Sequence, residues 1–242
     1  RKAGGATPLG SAIGAVTIQA AIDFWLDAST QRTVVFLSDG SIQKDNGLGG
    51  SWASLASGLS ATGVPAFTLG GGETLGRNRK VFFFDGVNSP RVQSGDAASA
   101  AAIANPAEDW KGTTQPRAMT VHDDGQMWAA LGHNLYASIP SDHEDFKSFR
   151  VVLPVAPGVG EYIAAIRSYK GLLLVWKYPE GAFAVDTKNS VVVRMADGGA
   201  AGPGSAQAIE DDVLWISPDG SWHLASATQA LGSVRATDIT AR

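Results

Sequence analysis

The chain contains no cysteine. That excludes disulfide staples, a thiolate nucleophile and thiolate metal ligands. Charge is also scarce: 17% of the 242 residues are Asp, Glu, Lys or Arg, and the net charge is −4. No run of Lys or Arg occurs, so the electrostatic footprint of a nucleic-acid-binding surface is missing. No apolar stretch approaches the roughly 18 residues a membrane-spanning helix needs, which argues against membrane insertion by a helix. The G-x-S-x-G elbow of a serine hydrolase is missing too, because Gly49-Gly50-Ser51-Trp52-Ala53 lacks the final glycine. The opening Arg1-Lys2-Ala3-Gly4-Gly5 has neither Met nor the apolar core of a signal peptide. It reads as the interior of a longer gene product.

What the chain does have is apolar content, glycine and a period. Hydrophobic residues make up 44%, too many for a disordered chain of this charge. Five segments share one pattern: a short apolar run, a tight turn carrying Gly, then a second run. They centre on Val34-Val35-Phe36-Leu37, Val81-Phe82-Phe83-Phe84, Met127-Trp128-Ala129-Ala130-Leu131, Leu172-Leu173-Leu174-Val175-Trp176 and Val213-Leu214-Trp215-Ile216. The turn glycines Gly40, Gly86, Gly132, Gly181 and Gly220 are spaced by 46, 46, 49 and 39 residues. A hairpin period of this length is the mark of a β-propeller blade, a four-stranded sheet that buries its faces only against neighbouring blades. The expected fold is therefore all-β, a propeller of about five visible four-stranded blades forming one domain over residues 1–242, with more blades in a longer product.

Each hairpin is preceded by a short segment rich in small residues, suited to the crowded innermost strand of a blade. These are Ala66-Phe67-Thr68-Leu69, Ala118-Met119-Thr120-Val121, Ile163-Ala164-Ala165-Ile166 and Ala206-Gln207-Ala208-Ile209. Outer strands are expected at Ser51–Leu55, Phe149–Leu153, Val191–Met195 and Ser233–Arg235. Gly95 to Trp110, with six alanines between Ala97 and Ala104, reads as a blade loop carrying one or two helical turns. Gly198 to Gly204 reads as a flexible linker. Ile13 to Trp25 and Ser233 to Thr240 have no evident partner within their own repeats, so the two are expected to meet in one composite blade that closes the ring.

Candidate chemistry is sparse. His122-Asp123-Asp124-Gly125 and Glu210-Asp211-Asp212 have the composition of turns. Asp142-His143-Glu144-Asp145 is denser, but it lacks the ligand spacing of a calcium loop and reads as a solvated loop. The four histidines read as surface or loop residues. Paired carboxylates for glycoside hydrolysis would have to come from Asp23, Glu161 and Glu210. Trp128, Trp176 and Trp215 lie among aliphatic strand residues and are expected in the core. Trp222 follows a turn. Trp52 and Trp110 lie toward the outer edge and are candidate partner contacts. No catalytic, cofactor-binding or metal-ligating set emerges.

Several phrases resemble propeller-like structural proteins of tailed bacteriophage virions. They are Val81-Phe82-Phe83-Phe84-Asp85-Gly86-Val87-Asn88-Ser89-Pro90-Arg91-Val92, then Pro116 to Leu131, Asn134-Leu135-Tyr136-Ala137-Ser138 and Asp142 to Phe146. Leu172 to Lys177 and Asp212 to Gly220 are similar to later blades of that family. The likeness runs over residues 30 to 225 and lies in the order of the phrases. The chain departs from the pattern at Ala137 and Ile139-Pro140, and its acidic phrase is displaced. The resemblance implies a non-enzymatic building block of the tail, nozzle or neck of a virion, made in the bacterial host cytoplasm. Its partners would be other virion proteins and copies of itself in a homo-oligomeric ring, without cofactor or specific nucleic acid. Two alternatives stay open: a glycan-binding or glycan-cleaving propeller, and a cellular scaffold that binds peptides.

Overall fold

A computed structural model describes residues 16–25, 30–46, 51–60, 63, 65–72, 76–140, 142–148, 151–209, 212–227 and 234–240. They form twenty strands in five sheets, each of four antiparallel strands. Blade 1 holds β1 (Ile18–Trp25), β2 (Gln31–Leu37), β3 (Ile42–Asp45) and β4 (Trp52–Ala56). Blade 2 holds β5 (Ala66–Gly72), β6 (Gly76–Phe84), β7 (Arg91–Ser94) and β8 (Ala101–Ala102). Blade 3 holds β9 (Ala118–Val121), β10 (Met127–Leu131), β11 (Asn134–Ala137) and β12 (Val151–Pro154). Blade 4 holds β13 (Tyr162–Tyr169), β14 (Leu172–Tyr178), β15 (Glu180–Asp186) and β16 (Val191–Gly198). Blade 5 holds β17 (Ala206–Ile209), β18 (Asp212–Ile216), β19 (Trp222–Ala227) and β20 (Val234–Asp238), after a single 3-10 turn at Pro203–Ser205. Every sheet is an up-and-down meander in chain order.

The apolar runs fall where burial is two-sided. Val34–Leu37, Val81–Phe84 and Leu173–Trp176 are buried at every residue. Each lies on the second strand of its blade and is buried on both faces, in blades 2 and 4 by the blades on either side, so it shows no alternation. The outermost strand β16 faces solvent along much of its length, and Val191 and Val193 stay exposed there. The core is divided into slices between blades. Phe24, Val34, Phe36 and Ile42 of blade 1 meet Val81 and Phe83 of blade 2. Phe82, Phe84 and Val92 meet Met119, Met127 and Tyr136 of blade 3. Trp128, Ala130 and Leu135 meet Ile163, Val175 and Phe183 of blade 4. Leu174 and Trp176 meet Val213 and Trp215 of blade 5, with the two indoles 5.6 Å apart. Burial of each large side chain contributes about 1.5–3 kcal/mol.

Several expectations need correction. The alanine-rich stretch forms no helical turn: Ala101–Ala102 is a two-residue strand pairing with Arg91 and Val92, flanked by turns. The backbone there completes blade 2, and that pairing outweighs the helix propensity of Ala. The two terminal segments do not share a blade. β1 is the innermost strand of blade 1 and pairs with β2, whereas β20 is the outermost strand of blade 5 and pairs with β19. Each repeat supplies all four of its own strands, so no composite sheet is required. Gly198–Gly204 is pinned: a Cβ on Gly199 would collide with the Lys177 carbonyl, and Arg167 Nη2 donates to Pro203 O at 2.8 Å.

Innermost strands pack in the order β1, β5, β9, β13, β17. Among the described residues, β17 and β1 make no comparable pairing, and the four slices above are the only inter-blade cores.

Candidate functional site

Asp is enriched at the turns because its carboxylate accepts from backbone N–H groups one to three residues on. Asp39 Oδ1 accepts from Ser41 N at 2.9 Å and Ser41 Oγ at 2.7 Å. Asp186 and Asp219 repeat the arrangement with Lys188, Asn189 and Ser221. These hydrogen bonds hold all three carboxyls below the usual Asp range. Asp85 is the fullest case. Its Oδ1 accepts from Val87 N (2.8 Å) and Asn88 N (2.7 Å), and its Oδ2 from Ser60 N (2.9 Å) and Asn88 Nδ2 (2.8 Å).

The remaining polar candidates latch blades together. Lys44 of β3 pairs with Asp96 in the turn after β7, joining blades 1 and 2. His143 is buried: its Nδ1 accepts from Gly71 N of blade 2 at 3.1 Å, and its Nε2 donates to Gly125 O of blade 3 at 2.9 Å. Beside it, Lys80 Nζ of blade 2 meets Glu144 Oε1 at 2.7 Å. Asp145 is buried in its own turn. Burial works to raise its pKa, but bonds from the Ser148 hydroxyl and from the Ser148 and Lys147 backbone outweigh it and lower the pKa. The Asp142–Asp145 segment is thus an inter-blade joint rather than a solvated loop. Its histidine is consumed by backbone partners that only the fold brings near.

Blade 3 is tied to blade 4 by the next cluster. His122 is buried with Nδ1 2.9 Å from Ser168 Oγ, which donates to Asp123 Oδ1 at 3.3 Å. Asp123 Oδ2 accepts from Gly171 N, and Asp124 Oδ2 accepts from Trp128 Nε1 and Thr187 Oγ1. These are the residue types of a hydrolytic triad in the wrong order. The carboxylate holds the serine rather than the far imidazole nitrogen, so the histidine is not set up as a base. Lys177, wholly buried, donates to Val155 O (3.0 Å), Ala156 O (2.6 Å) and His133 Nδ1 (2.7 Å). Burial lowers the Lys177 pKa. Burial, and then the lysine charge, lower that of His133. The sequence alone did not mark Lys177, although a lysine closing an otherwise apolar strand is the available signal. His122 and His143 are loop residues, as the expectation of surface or loop histidines allows, but both are buried.

The carboxylate candidates are not assembled. Asp23 lies in blade 1 and accepts from Thr33 Oγ1, whereas Glu161 is exposed just before β13 of blade 4. Glu210 and Asp211 lie outside the described residues. Among the described residues, no group of three His, Asp or Glu is placed to hold a metal ion. Trp128, Trp176 and Trp215 are buried as expected, and Trp222 is exposed. Trp52 is half-buried on the outermost strand of blade 1. Trp110 is not an available contact: it is 6% exposed, packed on Phe146 at 4.7 Å and Tyr136 at 6.0 Å. The long segment after β8 folds back over β11, which chain position alone does not reveal.

One small cleft collects polar and aromatic groups from several blades. It is lined by Asp85, Arg117, Tyr162, Ala164, Gly202 and Pro203. The exposed Arg117 guanidinium sits 4.5 Å above the Tyr162 ring, which stacks on Tyr178 at 5.4 Å. A cation over an aromatic face is stable in water and leaves guanidinium N–H donors free to recognise a ligand.

No protein-family model matches the chain, and no curated protein matches it. Solved structures do, β-propellers among them. The computationally designed Ika8 protein aligns over 87% of this chain and 60% of its own, at 10% identity and TM-score 0.55. BBS1N, solved in complex with ARL6DN, aligns over 92% of this chain and 66% of its own, at 13% identity and TM-score 0.57. The β-propeller domain of Cps50 (Swd1) from Myceliophteria thermophila aligns over 91% and 73%, at 14% identity and TM-score 0.54. At these identities the likeness establishes the fold: five four-stranded blades of a β-propeller. The chain spans about 60–66% of the length of the first two of these structures.

Proposed function

We propose that this propeller is a non-enzymatic structural component of a tailed-phage virion, a building block of the tail, nozzle or neck that meets other virion proteins and copies of itself in a ring. One observation carries the reading. The polar residues in the phrases that resemble the phage family are engaged with the protein's own backbone and neighbouring blades. Asp85 and Asn88 build a turn, and His143, Glu144 and Asp145 join blades 2 and 3. The likeness therefore lies in architecture, as a structural role requires. Two similar structures, BBS1N with ARL6DN and YCF48 bound to D1 peptide, are of propellers holding protein partners, which suits an assembly role. Mass spectrometry and electron microscopy of purified phage particles encoding the chain test it. The protein should be present at fixed stoichiometry and in a ring of density. A protein found only as a soluble cellular monomer sinks the proposal.

Glycan binding is the second reading, favoured by the Arg117–Tyr162–Tyr178 stack. Sugar hydroxyls accept from guanidinium donors, and the tyrosine pair holds the Arg117 guanidinium in place. A glycan array should then show ligands whose binding is lost in Tyr162→Ala. An array without hits removes this reading and leaves the first untouched.

A further inference from the structure

We infer that the outer face of blade 5 is an inter-blade seat, and that its occupant is a further four-stranded blade of the same polypeptide. The inference does not depend on the virion reading. Register carries it. In blade 5, Leu214 pairs with Leu224, Ile216 with Trp222 and Ile209 with Asp212. Antiparallel partners share a face. Ile209, Leu214, Ile216, Trp222 and Leu224 therefore lie together on the face turned away from blade 4, and the backbone of Ile239 bonds to Trp222 at its edge. Ile209, Trp222 and Ile239 are 48%, 44% and 38% exposed. Monomer surfaces rarely gather large apolar groups this densely without a partner.

The same positions in blade 4 show what the face is for. Its strands have the same register, with Tyr169 opposite Leu172, Val175 opposite Phe183 and Trp176 opposite Ala182. Shifted by one repeat, Tyr169, Leu174, Trp176, Ala182 and Ala184 occupy the places of Ile209, Leu214, Ile216, Trp222 and Leu224. All five blade 4 residues are buried, and what buries them is blade 5. Blade 5 thus repeats the docking surface of blade 4 at these five positions, with Gln207 and Asp212 on the same face and Asp212 where blade 4 has Leu172, and nothing comparable is packed on it among the described residues.

A blade is favoured over a second copy by size. About 73% of the Cps50 propeller domain is matched, which leaves roughly a quarter of that ring. That gap admits one or two blades and not another arc of five. Four strands of about five residues cover on the order of 300 Å² in plan. Free-standing association uses roughly 800 Å² per partner. A blade on the same polypeptide docks at millimolar effective concentration and needs no such area. At the opposite end of the arc, Val35 and Leu37 on the far face of blade 1 are already 2% and 0% exposed, and among the described residues no apolar slice joins that face to blade 5.

The lack of cysteine makes the test direct. Trp222→Cys and Leu224→Cys each introduce a single thiol on the face, and Val193→Cys places one on exposed β16 as a control. Maleimide labelling is timed in the 242-residue protein and in the same reading frame extended by its next repeat. In the 242-residue protein, which should sediment as a monomer, the thiol at 222 should react at close to the rate of the control and that at 224, half-buried, within about 10-fold of it. In the extended protein they should react about 100-fold more slowly, as for a group exposed only by local opening, while the control is unchanged. Trp222→Cys replaces an exposed side chain, so its folding is secure if Leu224→Cys fails. Equal rates in both proteins overturn the inference, as does a frame that encodes no further repeat. Protection already present in the 242-residue protein overturns it too, assigning the face to a second copy if a dimer sediments and to the chain's own residues if a monomer does.

Discussion

Asp85→Ala should destabilise the protein by about 3 kcal/mol. The carboxylate is 3% exposed and accepts four hydrogen bonds at 2.7–2.9 Å, three from backbone N–H groups. An ordinary hydrogen bond has a net worth of up to about 1–1.5 kcal/mol once water exchange is counted, taken as the floor for a charged acceptor, and deserted buried donors cost more. Four such bonds give about 4–6 kcal/mol. Ser60, Val87 and Asn88 are only half-buried, so water recovers part of this and the expected loss falls to about 3 kcal/mol. Asp85→Asn separates acceptor count from shape. One oxygen still serves two donors, while the new amide NH₂ faces the other two, so about half the loss should remain. Urea denaturation followed by tryptophan fluorescence measures both, and an unchanged m-value shows that the unfolded state is unaltered. A loss below about 0.5 kcal/mol for Asp85→Ala would refute the assignment of this residue as the clasp between the blade 1–2 linker and the β6–β7 turn, since that is the scatter of ordinary surface substitutions.

Trp176→Ala empties the centre of the blade 4–5 slice, where the indole is wholly buried against Trp215, and should cost about 3–5 kcal/mol in the same urea assay. Gly86→Ala should cost about 1–2 kcal/mol, because φ is +75° and a Cβ would press on Arg117 Cγ at 2.8 Å; an unchanged midpoint counts against the turn geometry. His133 and Lys177 have lowered pKa values, so the folded protein binds fewer protons at these bases than the unfolded chain. Stability from His133 is then fully present above its unfolded value of 6.5 and lost as pH falls through the lowered one. Stability linked to Lys177 rises with pH up to 10.5. Urea midpoints should decline on acidification below pH 6.5, and His133→Gln should flatten that decline while leaving the alkaline limb in place.

Strand content was legible in the sequence because second strands are buried on both faces and therefore spell unbroken apolar runs, from Val34–Leu37 to Leu173–Trp176. Turns were legible because Asp and Gly meet backbone demands that are local. The buried Trp128, Trp176 and Trp215 followed from their aliphatic neighbours in the same strands. Polar joints were not legible. His143 gains its partners from Gly71 and Gly125, 72 and 18 residues away, and no local composition signals them. Trp110 looked peripheral because its segment follows an outer strand, yet that segment folds back onto Tyr136 and Phe146. Ala101–Ala102 looked helical by propensity and became the fourth strand of blade 2.

The sequence by itself determined the repeat, the hairpins, the innermost small-residue strands and the lack of any thiol or basic-stripe chemistry. These depend on interactions within a few residues or on plain composition. Only the tertiary structure decided which face of each blade meets which neighbour, where the polar latches close, and that Ile209, Leu214, Ile216, Trp222 and Leu224 share one face, exposed at Ile209 and Trp222 and half-buried at the other three. The physical reason is that blades touch through side chains brought together by register across strands and by stacking of sheets. Alternation along a strand says that two faces exist, and only the packed arc says what each of them meets.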